Sequence, residues 1–170
     1  MNTLQRSDRT RFLATLHIVA KESAHLEWSR QRLFSQPITP AWVDALDRQP
    51  ELAERLEAFV SRYGRLQDTI ADKLLPRWLH ALAERPGSLI EVLNRAEQLG
   101  VLTDVSEWLE ARQLRNSLIH EYMEDSVTFA ENIQLAERYS HLLLETYLRV
   151  RSDAATRLNI APHELPDYTG

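Results

Sequence analysis

The sequence predicts an all-α fold, an up-and-down helical bundle of about five main helices. Three observations carry this. Apolar residues recur at i, i+3 and i+4 over most of the chain, the spacing that collects them on one face of a helix. Only four glycines occur in 170 residues, which suits long helices and disfavours a turn-dense β architecture. No segment alternates apolar and polar residues as a half-buried strand does, and neither internal repeats nor low-complexity tracts are visible. The length suits one well-buried core and is short for two ordinary domains. Residues 1–155 are therefore expected to form a single helical domain. Residues 156–170, punctuated by Pro162, Pro166 and Gly170, are expected to be a loosely held C-terminal tail.

Asp8 to Phe34 runs without proline or glycine and spaces Phe12, Leu13, Leu16, Ile18, Val19, Leu26 and Leu33 as a long first helix. Gln36-Pro37-Ile38-Thr39-Pro40 breaks it, and Thr39 before Pro40 reads as an N-cap with proline at the first helical position. A short helix through Trp42, Val43 and Leu46 follows. Pro50 opens a third helix, whose stripe of Leu52, Leu56, Phe59, Tyr63, Leu66 and Ile70 faces the core. Pro76 lies inside that continuing pattern and predicts a kink or a break into two helices, before the clear stop at Arg85-Pro86-Gly87. Ser88 with Glu91 is a capping box and Gly100 a C′ glycine, bracketing a helix of 89–99. Asp104 with Glu107 starts the next, through Trp108, Leu114 and Leu118, and a final helix runs from Ser126 to Arg151.

Composition excludes several function classes. Apolar residues are 44% and charged residues 26%, a balance suited to a water-facing fold. Runs such as Leu142-Leu143-Leu144 fall far short of the ~20 residues of a membrane span. MNTLQRSDRTRF has no apolar stretch before a cleavage site, so a cytoplasmic location without membrane is expected. Absence of cysteine removes disulfides, thiolate nucleophiles and thiolate-ligated metals. His17, His25, His80, His141 and His163 show no metal-ligand spacing, so neither a metal nor another cofactor is expected. A net charge of −5 means that any nucleic-acid contact must come from a local basic patch. Trp28, Trp42, Trp78 and Trp108 read as core or interface fillers, and only Trp78 beside Arg77 hints at a stacking platform for single-stranded RNA.

The segment Arg115 to Tyr122, RNSLIHEY, concentrates the polar chemistry. At 100° per residue Arg115 and Tyr122 nearly eclipse, Asn116 and His120 share a neighbouring strip, and Arg112 extends that strip toward the N-terminus. Leu114 and Leu118 point to the core. Ile119 falls among the polar groups, which suggests a face covered by something, such as a second subunit. Taken singly, these residues also fit plainer roles. Arg115 and Asn116 suit a solvated face with the arginine paired to Glu110, Glu121 or Glu124, His120 a structural histidine, and Tyr122 a half-buried core residue.

As a set, Arg115, Asn116, Ser117-Leu118-Ile119 and His120 resemble the signature of the HEPN superfamily, which is Arg, a polar residue, three further residues, then His. Tyr122 makes the segment similar to the HepT-like toxins, HEPN proteins encoded beside a minimal nucleotidyltransferase antitoxin. The upstream stretches RLQDTIADKLLP and RAEQLGVL also look like HEPN-related proteins. The resemblance implies a HEPN-like helical domain acting as a metal-independent endoribonuclease toxin on an RNA substrate. Its catalytic residues would be Arg115, Asn116 and His120, with Arg112 as a further RNA or phosphate contact. A ribose 2′-hydroxyl needs a base, and a histidine with an unperturbed pKa near 6.5 supplies one. Arg115 offers forked, permanently charged donors to the phosphate, and Asn116 can orient either group.

The resemblance further implies a homodimer that completes the site and a nucleotidyltransferase antitoxin that places AMP on Tyr122, adding negative charge and bulk in the RNA path (AMPylation). Helical geometry agrees that one copy is insufficient, since Arg115 and His120 diverge by about 140°. An isologous second copy would place two Arg115 and two His120 in one cleft, concentrating positive charge that the net −5 conceals. Glu121, Glu124 and Asp125 crowd the segment with acid and support an alternative, a non-catalytic HEPN adaptor that binds the nucleotidyltransferase or its nucleotide substrate.

Overall fold

The structure, a computed structural model, describes residues 1–120 and 125–170, and of His120 it describes the backbone alone. The fold is all-α, and no strand occurs among the described residues. Helix α1 spans Thr3–Leu33 and starts before Asp8 because Asn2 caps it. The Asn2 carboxamide accepts from Gln5 N at 2.8 Å while Gln5 Oε1 accepts from Asn2 N at 3.0 Å, a reciprocal box that satisfies two orphan donors. Helix α2, Pro40–Asp44, begins as expected, with Thr39 Oγ1 accepting from Trp42 N at 3.1 Å. Leu46 belongs instead to a separate 3₁₀ turn, Leu46–Arg48.

Helix α3 spans Pro50–Thr69, and the interruption expected at Pro76 appears upstream of it, as a π turn over Ile70–Leu74 that leads into α4, Leu75–Ala81. Pro76 has no N–H to donate and its ring would crowd the carbonyl of Asp72 in a regular helix. Widening the turn, with Leu75 N donating to Ile70 O, lets the rod continue past the proline. The turn keeps Ile70, Ala71 and Leu74 buried. Helix α5, Leu89–Gln98, is capped by Ser88, whose hydroxyl accepts from Glu91 N at 3.3 Å. The Glu91 carboxylate accepts from that same hydroxyl, so the return bond of the expected box is made to the side chain. At the other end Gly100 takes φ 84°. Gly100 N then reaches Glu97 O at 3.1 Å and Val101 N reaches Ala96 O at 3.0 Å, a Schellman stop.

Helix α6, Val105–His120, starts on Asp104, whose Oδ1 accepts from Ser106 N at 2.7 Å, and on Glu97, whose Oε2 accepts from Val105 N at 2.8 Å. A residue of α5 thus satisfies a backbone donor of the first turn of α6. Helix α7, Ser126–Thr156, outruns Arg151 and is capped by Asp125, which accepts from Val127 N at 3.1 Å and Thr128 Oγ1 at 2.6 Å. These bonds hold the Asp125 carboxyl below its usual range.

Helix α1 packs against α3, α4 and α7, while α6 packs against α7 and α3. Phe12, Leu16, Phe59, Leu66, Trp78, Trp108, Ile133 and Tyr147 form the centre of one continuous core. Trp78 is tied down by a bond from Nε1 to Asp153 Oδ2 at 2.7 Å, and Arg157 neutralises the same carboxylate at 3.1 Å. The C-terminal residues correct the expectation of a loose tail. Ile160 and Leu165 are buried, Tyr168 stacks on Tyr147 at 6.0 Å, and Arg9 donates to Leu158 O at 2.7 Å. Arg151 Nε donates to Pro166 O at 2.8 Å, so backbone acceptors that proline-rich sequence leaves open are filled by side chains of α1 and α7. Among the described residues no helix is long and apolar enough to cross a membrane.

Candidate functional site

Helix α6 is fixed in rotation before its polar residues come into play. Trp108, Ala111, Leu114 and Leu118 are buried, one residue every three or four. Tyr63 of α3 donates its hydroxyl to Ala111 O at 2.9 Å inside the core, and burial pushes that hydroxyl's pKa far above its usual range, so it remains a donor. From the other side Tyr139 of α7 donates to Glu110 Oε2 at 2.6 Å, and this bond to a carboxylate pushes the Tyr139 pKa up to about 12. With α6 held between α3 and α7, Leu114 and Leu118 face inward as their spacing indicates. Arg112 and Asn116 are exposed, and Arg115 is half-buried.

Arg115 lies across α3 where Gly64 removes a side chain. A Cβ at Gly64 would sit 2.9 Å from Arg115 Nε and 3.3 Å from its Cγ, closer than packing tolerates without movement. One turn further along α3, Asp68 receives the guanidinium on both prongs, Nη2 to Oδ2 at 2.9 Å and Nη1 to Oδ1 at 3.3 Å. The plainer role for Arg115 therefore takes a specific form. Its carboxylate is Asp68 on another helix, while Glu110 is occupied by Tyr139, and Glu121 and Glu124 lie outside the described residues. Nε is buried without a hydrogen-bond partner among the described residues, so the fork is only partly satisfied.

The arginine stands at a groove of about 740 Å³ between α3 and α6. Leu56, Val60, Leu118, Ile119 and Phe129 give it an apolar lining, and Ile119 is 53% exposed there. The polar lining mixes signs, with Arg65, Lys73 and Arg115 set against Glu57, Asp68 and Asp72. The charged lining of this groove is thus balanced and not basic. Thr69 Oγ1, also in the lining, lies 2.8 Å from Arg65 O and 3.1 Å from Glu22 Oε1. Desolvation raises the Glu22 pKa above the usual carboxylate range, outweighing the bond from Thr69 and the nearby charges of Arg65 and Lys73.

Of the residues singled out in the sequence, Arg115 lines the groove, whereas Arg112 and Asn116 are exposed and do not line it. His120 ends α6 with its side chain outside the description, and Tyr122 lies outside the described residues altogether. Gly64, Asp68 and Lys73 escaped site-level reading. Asp68 and Lys73 belong to RLQDTIADKLLP, the stretch that lines the groove opposite α6 through Arg65, Asp68, Thr69, Asp72 and Lys73. The hint of a stacking platform at Arg77-Trp78 is corrected: Trp78 is fully buried, and Arg77 Nη1 donates to Thr15 Oγ1 at 2.6 Å. No family model, curated protein or solved structure matches the chain.

Proposed function

We propose that this chain is a metal-independent endoribonuclease toxin that cleaves RNA through a composite Arg115 and His120 site at a homodimer interface and is restrained by a nucleotidyltransferase antitoxin. The observation that carries the reading is the placement of Arg115, within the signature-bearing helix, at the lining of a groove of about 740 Å³. Its ion pair with Asp68 is partly open to water, with the two side chains 29% and 42% exposed. A pair of that kind is worth at most about 1 kcal/mol, so a phosphodiester can displace the carboxylate. The buried Nε is a further donor that Asp68 leaves unused. The apolar lining around exposed Ile119 is the kind of surface a second copy covers.

In the reaction His120 takes the proton of a ribose 2′-hydroxyl, whose oxygen attacks the adjacent phosphorus. The bond to the 5′ oxygen breaks, that oxygen leaves with a proton from a second histidine or water, and a 2′,3′-cyclic phosphate remains. Arg115 opposes the charge that accumulates on the phosphoryl oxygens. Asn116 orients one of these groups, and Arg112 extends the cation track. Tyr122 is the hydroxyl on which the antitoxin places AMP.

Induction of the wild type in cells lacking the antitoxin is expected to arrest growth with cleavage of total RNA, and His120→Ala and Arg115→Ala are expected to do neither. A harmless wild type with intact RNA would falsify the nuclease reading. That outcome favours the adaptor, whose supporting observation is the engagement of Arg115 by Asp68 in a groove that also carries Glu57 and Asp72. The adaptor binds a nucleotidyltransferase without cutting RNA.

A further inference from the structure

Helix α3 has a second working face. Trp28 of α1 is 56% exposed, whereas Trp42, Trp78 and Trp108 are buried. The Arg32 guanidinium stands 4.7 Å and that of Arg62 5.8 Å from the centre of the Trp28 ring. Arg62 is held by neutral acceptors, with Nη1 donating to Ser29 Oγ at 2.6 Å and His25 O at 3.2 Å. A cleft of about 280 Å³ runs beside the indole, where Arg55 joins these two arginines and Glu51 and Glu54 supply the acidic side chains. None of Arg32, Arg55 and Arg62 forms an ion pair among the described residues, although Glu51 and Glu54 are near. An exposed indole thus lies under two guanidinium groups, beside a cleft whose lining holds three arginines and two glutamates with no ion pair between them.

We propose that this face is a subsite for single-stranded nucleic acid, with an unpaired base stacking on Trp28 and the flanking phosphates taken by Arg32 and Arg62. An apolar protein surface pressed on this face would desolvate arginines that no ion pair compensates, which is costly. Single-stranded nucleic acid alternates π-faces with negative charges at short intervals, and aromatic rings interleaved with arginine bind it with little regard to sequence. In a chain of net charge −5 these cations form the local patch that phosphate contact requires. The subsite stands whether or not Arg115 cleaves RNA. On a helical wheel its α3 residues, Arg55, Ala58 and Arg62, lie roughly 120° from Gly64 and Asp68, with exposed Arg65 between the two faces.

The probe is a labelled 12-nucleotide oligothymidylate of DNA, which has no 2′-hydroxyl and cannot be cut by the chemistry proposed for His120. Trp28 is the exposed indole, so quenching of intrinsic fluorescence on titration reports contact at that ring. The wild type is expected to bind, by anisotropy, and to be quenched. Trp28→Ala is expected to weaken binding about 5- to 100-fold and abolish the quench, while Trp28→Phe keeps most of the affinity. Arg32→Gln and Arg62→Gln are each expected to flatten the dependence of log K on log salt by about 0.7. Unchanged melting of the variants excludes a folding effect. The proposal is overturned if the wild type fails to bind, if Trp28→Ala binds as tightly, or if binding leaves the fluorescence unaltered. It is equally overturned if Trp28→Ala dissolves a self-associated form in sedimentation without changing oligonucleotide affinity, which marks a protein contact. Because His120→Ala growth and RNA integrity are separate readouts, failure of the nuclease reading leaves this result interpretable.

Discussion

On one face of α3, Arg115 reaches over Gly64 and spends both prongs on Asp68, beside an apolar groove. On the neighbouring face Arg32 and Arg62 flank the exposed Trp28 and form no ion pair among the described residues. The first face holds its cation in an ion pair. The second holds Arg62 on neutral acceptors. What separates them is the residue one helical turn along the opposing helix, because Asp68 stands where Arg115 arrives while Ser29 and a backbone carbonyl stand where Arg62 arrives. Net charge describes neither face.

The largest expected effect erases the comparison. Phe59 is fully buried in α3 and meets Phe34 edge-on at 5.3 Å, so Phe59→Ala should cost about 3–5 kcal/mol in denaturant unfolding and disable both faces together. Survival of either face's behaviour at full strength would show that they do not share one cooperative scaffold. Tyr63→Phe is more selective. It removes the hydroxyl bond to Ala111 O that fastens α6 to α3, with an expected loss of about 1 kcal/mol by the same unfolding measurement. Growth arrest should weaken with it while oligothymidylate affinity at Trp28 stays within twofold.

Smaller changes sharpen the contrast. Gly64→Ala gains up to about 1 kcal/mol of helix propensity but must push the Arg115 side chain aside, so melting should shift little while RNA cleavage falls. Asp68→Asn frees the Arg115 fork at a stability change below about 1 kcal/mol, since the pair is half-exposed. Its signature is a salt dependence of RNA binding steeper by about 0.7, measured in a His120→Ala background. The smallest effect concerns Glu22, whose folded-state pKa lies above the unfolded value through desolvation. The native state therefore holds that proton more tightly, so the contribution of Glu22 is most favourable below the unfolded pKa and is lost as pH rises through the folded one. Glu22→Gln keeps an acceptor for Thr69 and should raise stability near neutral pH relative to wild type, the gain vanishing below the unfolded pKa.

Much of the fold was legible from residue order. Thr39-Pro40, Ser88 and Gly100 mark helix ends through contacts within a few residues, and these starts and the glycine stop appear where expected. Local reading failed where a distant residue supplied the partner. Glu97 of α5 accepts from Val105 N at the start of α6. Pro76 announced an interruption, but its form, a π turn ending before the proline, follows from keeping Ile70, Ala71 and Leu74 in the core. The docked tail was missed because Pro162 and Pro166 signal irregular backbone and say nothing of what packs on it. In the candidate site, the inward Leu114 and Leu118 and the outward Asn116 were readable from spacing, whereas Asp68 as the partner of Arg115 was not.

The sequence by itself determined the helices, their local caps and the stripe each turns toward the core, because hydrogen bonds and side-chain neighbours at i+3 and i+4 are set by the geometry of a single helix. Only the tertiary structure decided which arginines are spent and which tryptophan is exposed. Trp28 and Trp78 are equally apolar, and Arg62 and Arg115 equally charged. Their different fates depend on how α1, α3, α6 and α7 pack, and thus on contacts between residues far apart in the chain.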